Sequence, residues 1–384
     1  MNKIYNNIEY YITCSRGLEE VTAKDIMPYC NKITRLDDGG VAFIGDKKAL
    51  YNVNLYSRTG MYVLKKLDNF KSHSLDDLYK KVKNYSWSKL VKKTSTIAVR
   101  VKSDSEIFTN PNFCTLRVKD AIVDSIKDQK NFRPYIDRKN PDYSIFVFIK
   151  DKDVQVFLNS SGSPLFMRGY RTKIHKASLN ESLAAGLILL SGWDKETPFY
   201  DPMCGSGTIP IEAALMAKNV PPGIYRNEFG FERWKRFDSD MWKQCLDDAK
   251  NAYIDCKAKI YGADVIEENI TLCNLSSRKT KNDLSITFRK KDIRFFQPKS
   301  NKGVVIINPP YGHRIGEEED LEHLYKIIGD TLKKNCKNFD AFIFTASGEL
   351  TKSIGLRTKK RLILKNGNID CRLLHYEIVE GEYL

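Results

Sequence analysis

The chain has 384 residues with 63 Lys and Arg against 48 Asp and Glu, a net charge of +15, and its length accommodates two or three domains with cores of their own. No apolar stretch reaches the ~20 residues a membrane helix needs, and the N-terminus, MNKIYNNIEYYITCS, carries no export signal. Nine scattered cysteines without a C-x-x-C pair, and five histidines without ligand spacing, argue against disulfides, zinc or a metal enzyme and for a reducing, cytoplasmic compartment.

The front half reads as α+β. Tyr10–Cys14 is a strand and Leu18–Tyr29 an amphipathic helix; Lys32–Leu36 and Val41–Ile44 flank DDGG, which has hairpin-turn chemistry. A helix at Ala49–Tyr56 and a strand at Tyr62–Leu67 follow. A helix near Leu75–Lys83, a strand at Thr96–Val101, a helix at Asn112–Ile126 and strands at Ser144–Ile149 and Val154–Leu158 complete this half. Two small open-sheet units are expected, 1–60 and 61–160, neither with a catalytic constellation. The charge sits here: residues 1–176 hold 32 Lys and Arg against 19 Asp and Glu, whereas residues 177–384 hold 31 against 29. Nine lysines crowd the stretch from Lys65 to Lys93, among them Lys80, Lys81 and Lys83. A polyanion partner for this half is expected. Residues 161–177, small, polar and basic, read as a linker that itself touches the polyanion backbone through Arg168, Arg171, Lys173 and Lys176.

From 178 to 384 the pattern becomes strand–helix alternation. Helix Asn180–Leu190 leads to strand Phe199–Tyr200 and helix Ile209–Ala217. After an insertion come helix Met241–Asp255, strand Lys259–Tyr261, helix Glu267–Ser276, and strands Ile286–Arg289 and Val304–Ile307. Helix Leu321–Lys334, strand Ala341–Phe344 and a final pair, Arg361–Lys365 and Leu373–Val379, close the series. Such alternation predicts a mostly parallel sheet with helices on both faces. Ligands in such sheets bind beyond the carboxyl ends of the strands.

Four loops occupy those ends. Asp201-Pro202-Met203-Cys204-Gly205-Ser206-Gly207-Thr208 turns from a strand into a helix; its glycines let backbone N–H groups approach a ligand, and Asp201 suits an ammonium group. It matches neither G-x-x-x-x-G-K-[ST] nor G-x-G-x-x-G. Asp264 and Asp292 end the next two strands; each alone also fits a helix N-cap. Asp264 lies 57 residues past Gly207, far from the ~20 of a nicotinamide-binding unit. The fourth loop, Asn308-Pro309-Pro310-Tyr311, follows a wholly apolar strand. Its prolines donate no hydrogen bonds, so carbonyl and amide oxygens there can converge on a planar N–H₂ group while Tyr311 stacks on a base.

DPMCGSGTIPIEAA at 201–214 with NPPYG at 308–312, preceded by MRGYR at 167–171 and NESLAAG at 180–186, resembles the bacterial THUMP-domain RNA methyltransferases. The resemblance is greatest to those that make N2-methylguanine in large-subunit (23S) rRNA. It implies a Rossmann-like class I methyltransferase domain behind ferredoxin-like and THUMP units, with S-adenosyl-L-methionine as cofactor and RNA as partner. That RNA would be rRNA, free or in a ribosome-assembly intermediate. On the same resemblance the loop of Asp201, Met203, Cys204, Gly205, Gly207 and Thr208 would hold the methionine end of the cofactor. Asp264 would take the ribose hydroxyls and Asp292 the adenine amine, with Glu181 closing over the cofactor. Asn308 and Pro309, stiffened by Pro310, would grip the target amine, and Tyr311 would stack on the base. Lys80, Lys81, Lys83, Arg168 and Arg171 would contact RNA.

Where the family commonly has N-P-P-Y-G-E-R, this chain has His313, taken as a surface residue. Some family members carry a second, C-terminal methyltransferase domain; none is found before Leu384, so a single modification is expected. No Pro-Cys dipeptide supplies a thiolate nucleophile, so a covalent intermediate is not expected, and the target base must be single-stranded or flipped out. N-P-P-Y also occurs in DNA adenine methyltransferases and in enzymes that methylate a protein glutamine. These, a tRNA guanine-N2 methyltransferase and a non-catalytic RNA-binding assembly factor compete with the rRNA reading. The insertion at 221–237, aromatics interleaved with Arg and Lys, fits either a nucleotide clamp or packing onto the sheet.

Overall fold

The structure is a computed structural model and describes residues 7–171, 179–255, 257–280, 284–311 and 318–379. Its first half is built on one eight-stranded sheet: β1 (Ile8–Cys14), β2 (Lys32–Asp37), β3 (Gly40–Gly45), β4 (Gly60–Lys71), β5 (Thr96–Asp104), β6 (Tyr135–Ile136), β7 (Tyr143–Lys150) and β8 (Asp153–Asn159), in the order β2-β3-β1-β4-β8-β7-β5-β6. The two expected units therefore share a sheet. β4 is twelve residues long and pairs with β1 from Gly60 to Lys65 and with β8 from Leu64 to Lys71, so the boundary near residue 60 falls inside a continuous ladder.

Five helices cover one face: α1 (Glu19–Ile26), α2 (Lys47–Tyr56), α3 (Leu75–Asn84), α4 (Trp87–Leu90) and α5 (Pro111–Lys130). Alternation assigns the faces. Tyr10, Ile12, Val41, Phe43 and Val63 pack with α1 and α2, and Ile145, Val147, Val154 and Val156 with α3 and α5. The other parity, Tyr11, Ala42, Leu64, Phe146 and Phe157, makes a separate aromatic cluster. The side chains of Asp46, Ser74 and Asn110 cap α2, α3 and α5, which fixes where those helices begin.

Residues 161–171 are not a linker. Leu165, Arg168 and Tyr170 are each 1% exposed. Arg168 donates to the carbonyls of Leu165 (2.8 Å), Ser57 and Arg58, and its Nε lies 3.5 Å from Glu212 Oε1, which also accepts from Tyr170 at 3.0 Å. Arg171 is likewise interior, 8% exposed at its side chain and 3.3 Å from Glu181. Neither arginine is available to an RNA backbone, because each guanidinium is spent on the protein's own carbonyls and carboxylates. Lys173, Lys176 and His313 lie outside the described residues.

The second half holds α6 (Glu181–Ser191), α7 (Thr208–Ala217), α8 (Ser239–Asn251), α9 (Glu267–Lys279) and α10 (Glu318–Asn335). They surround a sheet of β9 (Phe199–Asp201), β10 (Ile260–Asp264), β11 (Ile286–Lys290), β12 (Gly303–Ile307), β13 (Phe339–Thr345), β14 (Lys360–Asn366) and β15 (Ile369–Ile378). The order is β11-β10-β9-β12-β13-β15-β14; all pairs are parallel except those made by β15. α6 and α7 pack on one face and α10 on the other. No helix among the described residues is long and apolar enough to cross a membrane.

The halves are bolted together. Leu18 enters the core of the second half, and a side chain at Gly186 would strike it at 2.6 Å. Ser182 Oγ donates to Gly60 O (2.8 Å), Arg58 to Val220 O (3.0 Å) and Lys365 N to Arg16 O (3.1 Å). The insertion is part of this junction. Phe229 and Phe231 are buried, the latter with ring centroids 4.6 Å from Tyr51 and 5.1 Å from Trp242. Arg226 donates to the carbonyls of Ser161, Ser163, Pro164 and Met167. Its aromatics are packing, not a clamp.

Candidate active site

The strand order reverses between β9 and β12: β10 and β11 extend to one side, β12 and β13 to the other. A crevice opens where connections leave in opposite directions. Val305 pairs with Tyr200, so the residues that end the two strands, Asp201 and Asn308, stand of order 8 Å apart at ~3.3 Å per residue and ~4.8 Å between strands.

The turn after β9 is tied down from two directions. Cys204 N donates to Ala263 O at 2.8 Å, and Gly205 N to Asp264 Oδ2 at 2.9 Å. Gly207, at φ +82°, starts α7; a side chain there would meet Cys273 Sγ at 2.9 Å. Gly205 also has positive φ (+53°), but nothing lies within 4 Å of where its Cβ would be. One glycine is thus required by packing and the other leaves open space for a ligand against bare backbone.

Three carboxylates follow. Asp201 is 2% exposed, and its Oδ1 accepts from Met203 N at 3.2 Å. Burial pushes its carboxyl well above the usual range, and the nearby Asp264 charge adds to the rise. Asp264 accepts from Gly205 N, Ile266 N (2.9 Å) and Asn269 Nδ2 (3.0 Å), leaving about one of its four acceptor positions for a ligand. Asp292 accepts from the Arg294 backbone and guanidinium, each at 2.8 Å; that guanidinium holds its carboxyl below the ordinary range.

On the β12 side, five fully buried residues carry the chain to Asn308, whose Oδ1 is buried with no hydrogen-bond partner among the described residues. Pro309 is buried. The Pro310 carbonyl accepts from Tyr325 Oη at 3.4 Å, and Tyr325 bonds to Thr345 Oγ1 at 2.7 Å. The Tyr311 phenol oxygen accepts from Asn366 Nδ2 at 3.1 Å, and its ring stands edge-on to Phe344, with centroids 6.2 Å apart.

Asp201, Met203, Cys204, Gly205, Thr208, Asp264, Asp292, Asn308, Pro309, Pro310 and Tyr311 all line one cleft of about 1880 Å³. That exceeds the ~300–1,000 Å³ of an ordinary small-molecule pocket, so a cofactor and a second flat molecule have room together. Gly207 and Glu181 are not on its lining. Glu181 is 4% exposed and burial raises its carboxyl; through Arg171, which donates to Leu179 O (2.7 Å) and to Thr208 Oγ1, it braces the start of α7 from behind. Lys80, Lys81 and Lys83 lie on α3, away from this cleft. Lys80 is exposed, but Lys81 is paired with Asp77 (3.0 Å) and Lys83 with Asp128 (2.7 Å). Asn269, Tyr325 and Asn366 are not among the residues expected from sequence: Asn269 reaches Asp264 from five residues on, in the first turn of α9, whereas Tyr325 and Asn366 reach Pro310 and Tyr311 only through the fold.

The comparisons agree with this geometry. Residues 168–375 match the RMKL-like methyltransferase domain, residues 72–159 the THUMP domain and residues 9–64 the RlmL ferredoxin-like domain. A Synechocystis sp. protein named as a candidate RNA methyltransferase is 36% identical over 370 residues, 96% of each chain. A candidate methylase from Clostridium difficile 630 superposes with a TM-score of 0.89 at 30% identity, over 98% of this chain and all of that one. SMU.472, a candidate methyltransferase solved with S-adenosylhomocysteine, superposes at 0.88 with 25% identity over the whole of both chains. The donor in this class is S-adenosylmethionine, and the residues present fit it: open backbone at Gly205, a buried carboxylate at Asp201 and carboxylates at the two following strand ends. The chain belongs to the RMKL-like methyltransferases, class I enzymes that here carry an RlmL-type ferredoxin-like domain and a THUMP domain ahead of the catalytic one.

Proposed function

We propose that the protein methylates an exocyclic amine of an RNA base, guanine N2 of large-subunit rRNA, in the cleft between the ends of β9 and β12. One observation carries this reading: Asn308 presents a buried acceptor with no partner among the described residues, on the wall of a cleft it shares with the cofactor turn. A buried polar atom left unmade costs about 1–3 kcal/mol, so an acceptor kept open at that cost suits a ligand donor. The THUMP match and the Synechocystis relative named as an RNA methyltransferase support RNA as the substrate, and the RlmL-type front domain supports rRNA.

Bound S-adenosylmethionine would supply a methyl group made electrophilic by its sulfonium. The rest falls to the chain. Asp201 would face the cofactor's ammonium, the bare backbone at Gly205 would let the donor approach closely, and Asp264 and Asp292 would fix its nucleoside end. An exocyclic base amine is a weak nucleophile because its lone pair is delocalised into the ring. Asn308 Oδ1, accepting one N–H, would favour a pyramidal nitrogen with its lone pair aimed along the cleft; Tyr311 would hold the ring by stacking, worth about 1–3 kcal/mol. The N–CH₃ bond would form as the sulfonium's S–CH₃ bond breaks, leaving S-adenosylhomocysteine. The nitrogen would then shed to solvent the proton that Asn308 Oδ1 had accepted as a hydrogen bond. Alignment of the two reactants supplies most of the catalysis.

Mass mapping of modified nucleosides in cells lacking the protein tests the assignment. The expected result is loss of N2-methylguanosine at one position of large-subunit rRNA. Loss from tRNA, or of N6-methyladenine from DNA, would assign another substrate; unchanged nucleic acids would overturn the proposal.

A further inference from the structure

Tyr311 is held by a part of the chain that no motif marks. Asn366 ends β14 and pairs with Ile369 across a two-residue turn, whose first residue, Gly367, has φ +61°. A glycine at that position lets the hairpin close without splaying its strands. The closed tip brings Asn366 and Ile369 onto the wall of the same cleft as Asn308 and Tyr311. From there Asn366 donates to the Tyr311 phenol across 55 residues of sequence. Cys371, on β15, is buried. Phe344 meets the ring at 82°, so edge packing and the Asn366 hydrogen bond together fix its plane.

We infer that the β14–β15 tip is part of the target-base slot and that Asn366 is a positioning residue, setting the plane on which the base stacks. The inference rests on the reading of the cleft as a base-methylating site. Asn366 touches neither donor nor target amine in this scheme; it acts through Tyr311. Its backbone stays in the β14–β15 ladder whatever side chain it carries, so truncation leaves the turn in place.

A double-mutant cycle on the full chain tests this, with unmodified large-subunit rRNA transcript as substrate and S-adenosylmethionine binding by calorimetry as the folding control. Asn366→Ala should lower kcat about 3- to 10-fold, the range one neutral hydrogen bond supplies. KM for RNA should stay within about two-fold, since RNA affinity comes mainly from backbone contacts elsewhere. In a Tyr311→Phe background the same substitution should change kcat less than about two-fold, because its partner is already gone. An equal loss in both backgrounds would show that Asn366 acts elsewhere and would overturn the inference, as would full activity of the single variant. If the unaltered protein binds the donor but transfers nothing to RNA, the reading of the cleft itself fails, a result these variants do not mimic.

Discussion

Two regions of this molecule bury charge, and they do so in opposite ways. At the junction between the halves, Arg168 meets Glu212, with Arg58 close enough to feel the same carboxylate, and the Arg168 guanidinium is spent on carbonyls of Leu165, Ser57 and Arg58. Opposite charges face each other; Glu212 Oε2 and Arg58 Nη1 have no hydrogen-bond partner among the described residues, but neither residue lines the cleft. In the cleft two carboxylates end adjacent strands instead, and the Asp264 charge adds to the burial that pushes the Asp201 carboxyl up. Asn308 adds an open acceptor nearby. A protein balances charge where it wants structure; where like charges and open acceptors meet, the balance is left for something cationic or N–H-bearing to complete.

That contrast can be broken by substitution. Arg168→Met removes the cation 3.5 Å from Glu212, whose side chain is fully buried, leaving it the Tyr170 hydroxyl and the field of Arg58. Chemical denaturation should show a loss of about 3–5 kcal/mol, the usual result of breaking a buried pair from one side; a loss under about 1 kcal/mol would mean the junction is not held by charge. Asn308→Ala does the reverse, removing an atom whose bond is unmade in the free protein. It should leave cofactor affinity nearly unchanged and hold or raise stability, because the atom removed is a buried acceptor left open. Methyl transfer should fall about 10²–10³-fold, as when one preorganised partner of a reacting group is lost. Activity within a few-fold of the original would remove Asn308 from the chemistry.

Asp201→Asn lies between these two. Loss of the buried carboxylate should weaken S-adenosylmethionine binding about 10- to 100-fold by calorimetry, the range of a charged hydrogen bond. It should also raise the melting temperature of the cofactor-free protein. The sign follows from the raised carboxyl. An acid whose native pKa lies above its unfolded value of about 3.9 keeps its proton longer when folded, so stability is lost as pH rises through the raised value. The gain from Asn should therefore grow as pH rises above the unfolded value, and cofactor affinity of the unaltered protein should climb as the carboxyl gives up its proton. A melting temperature lowered by the substitution would contradict the assignment.

The cleft was legible because each of its parts is local: a strand, a turn chemistry and a residue type within a few positions, as in Asp201–Thr208 and Asn308–Tyr311. A parallel sheet then delivers strand ends to one edge by topology alone. The junction was not legible. Arg168, Arg171 and Arg226 look like any basic residues in a polar stretch, and only partners brought in by the fold turn them into interior struts: the carbonyls of Ser57 and Arg58 for Arg168, Thr208 and Glu181 for Arg171, and the Ser161 carbonyl for Arg226. Lys81 and Lys83 show the same limit at the surface. The charge count marks the stretch as basic without showing which carboxylates stand beside it: Asp77 lies 3.0 Å from Lys81, and Asp128, 45 residues on, lies 2.7 Å from Lys83, both pairs partly exposed. Asn366 was invisible for the same reason, since its partner lies 55 residues upstream.

The bolts between the halves have a geometric outcome. With Leu18 seated beside Gly186 and Ser182, Arg58 and Lys365 bonded across the seam, the THUMP surface and the crevice stand at a set separation, like the jaws of a caliper. On the proposed function, an RNA held on the THUMP surface would offer the crevice only the nucleotides that lie that far along its path. Span would then act beside base identity in choosing the site, and lengthening the stem between grip and target should shift or abolish modification without altering a single contact at the base.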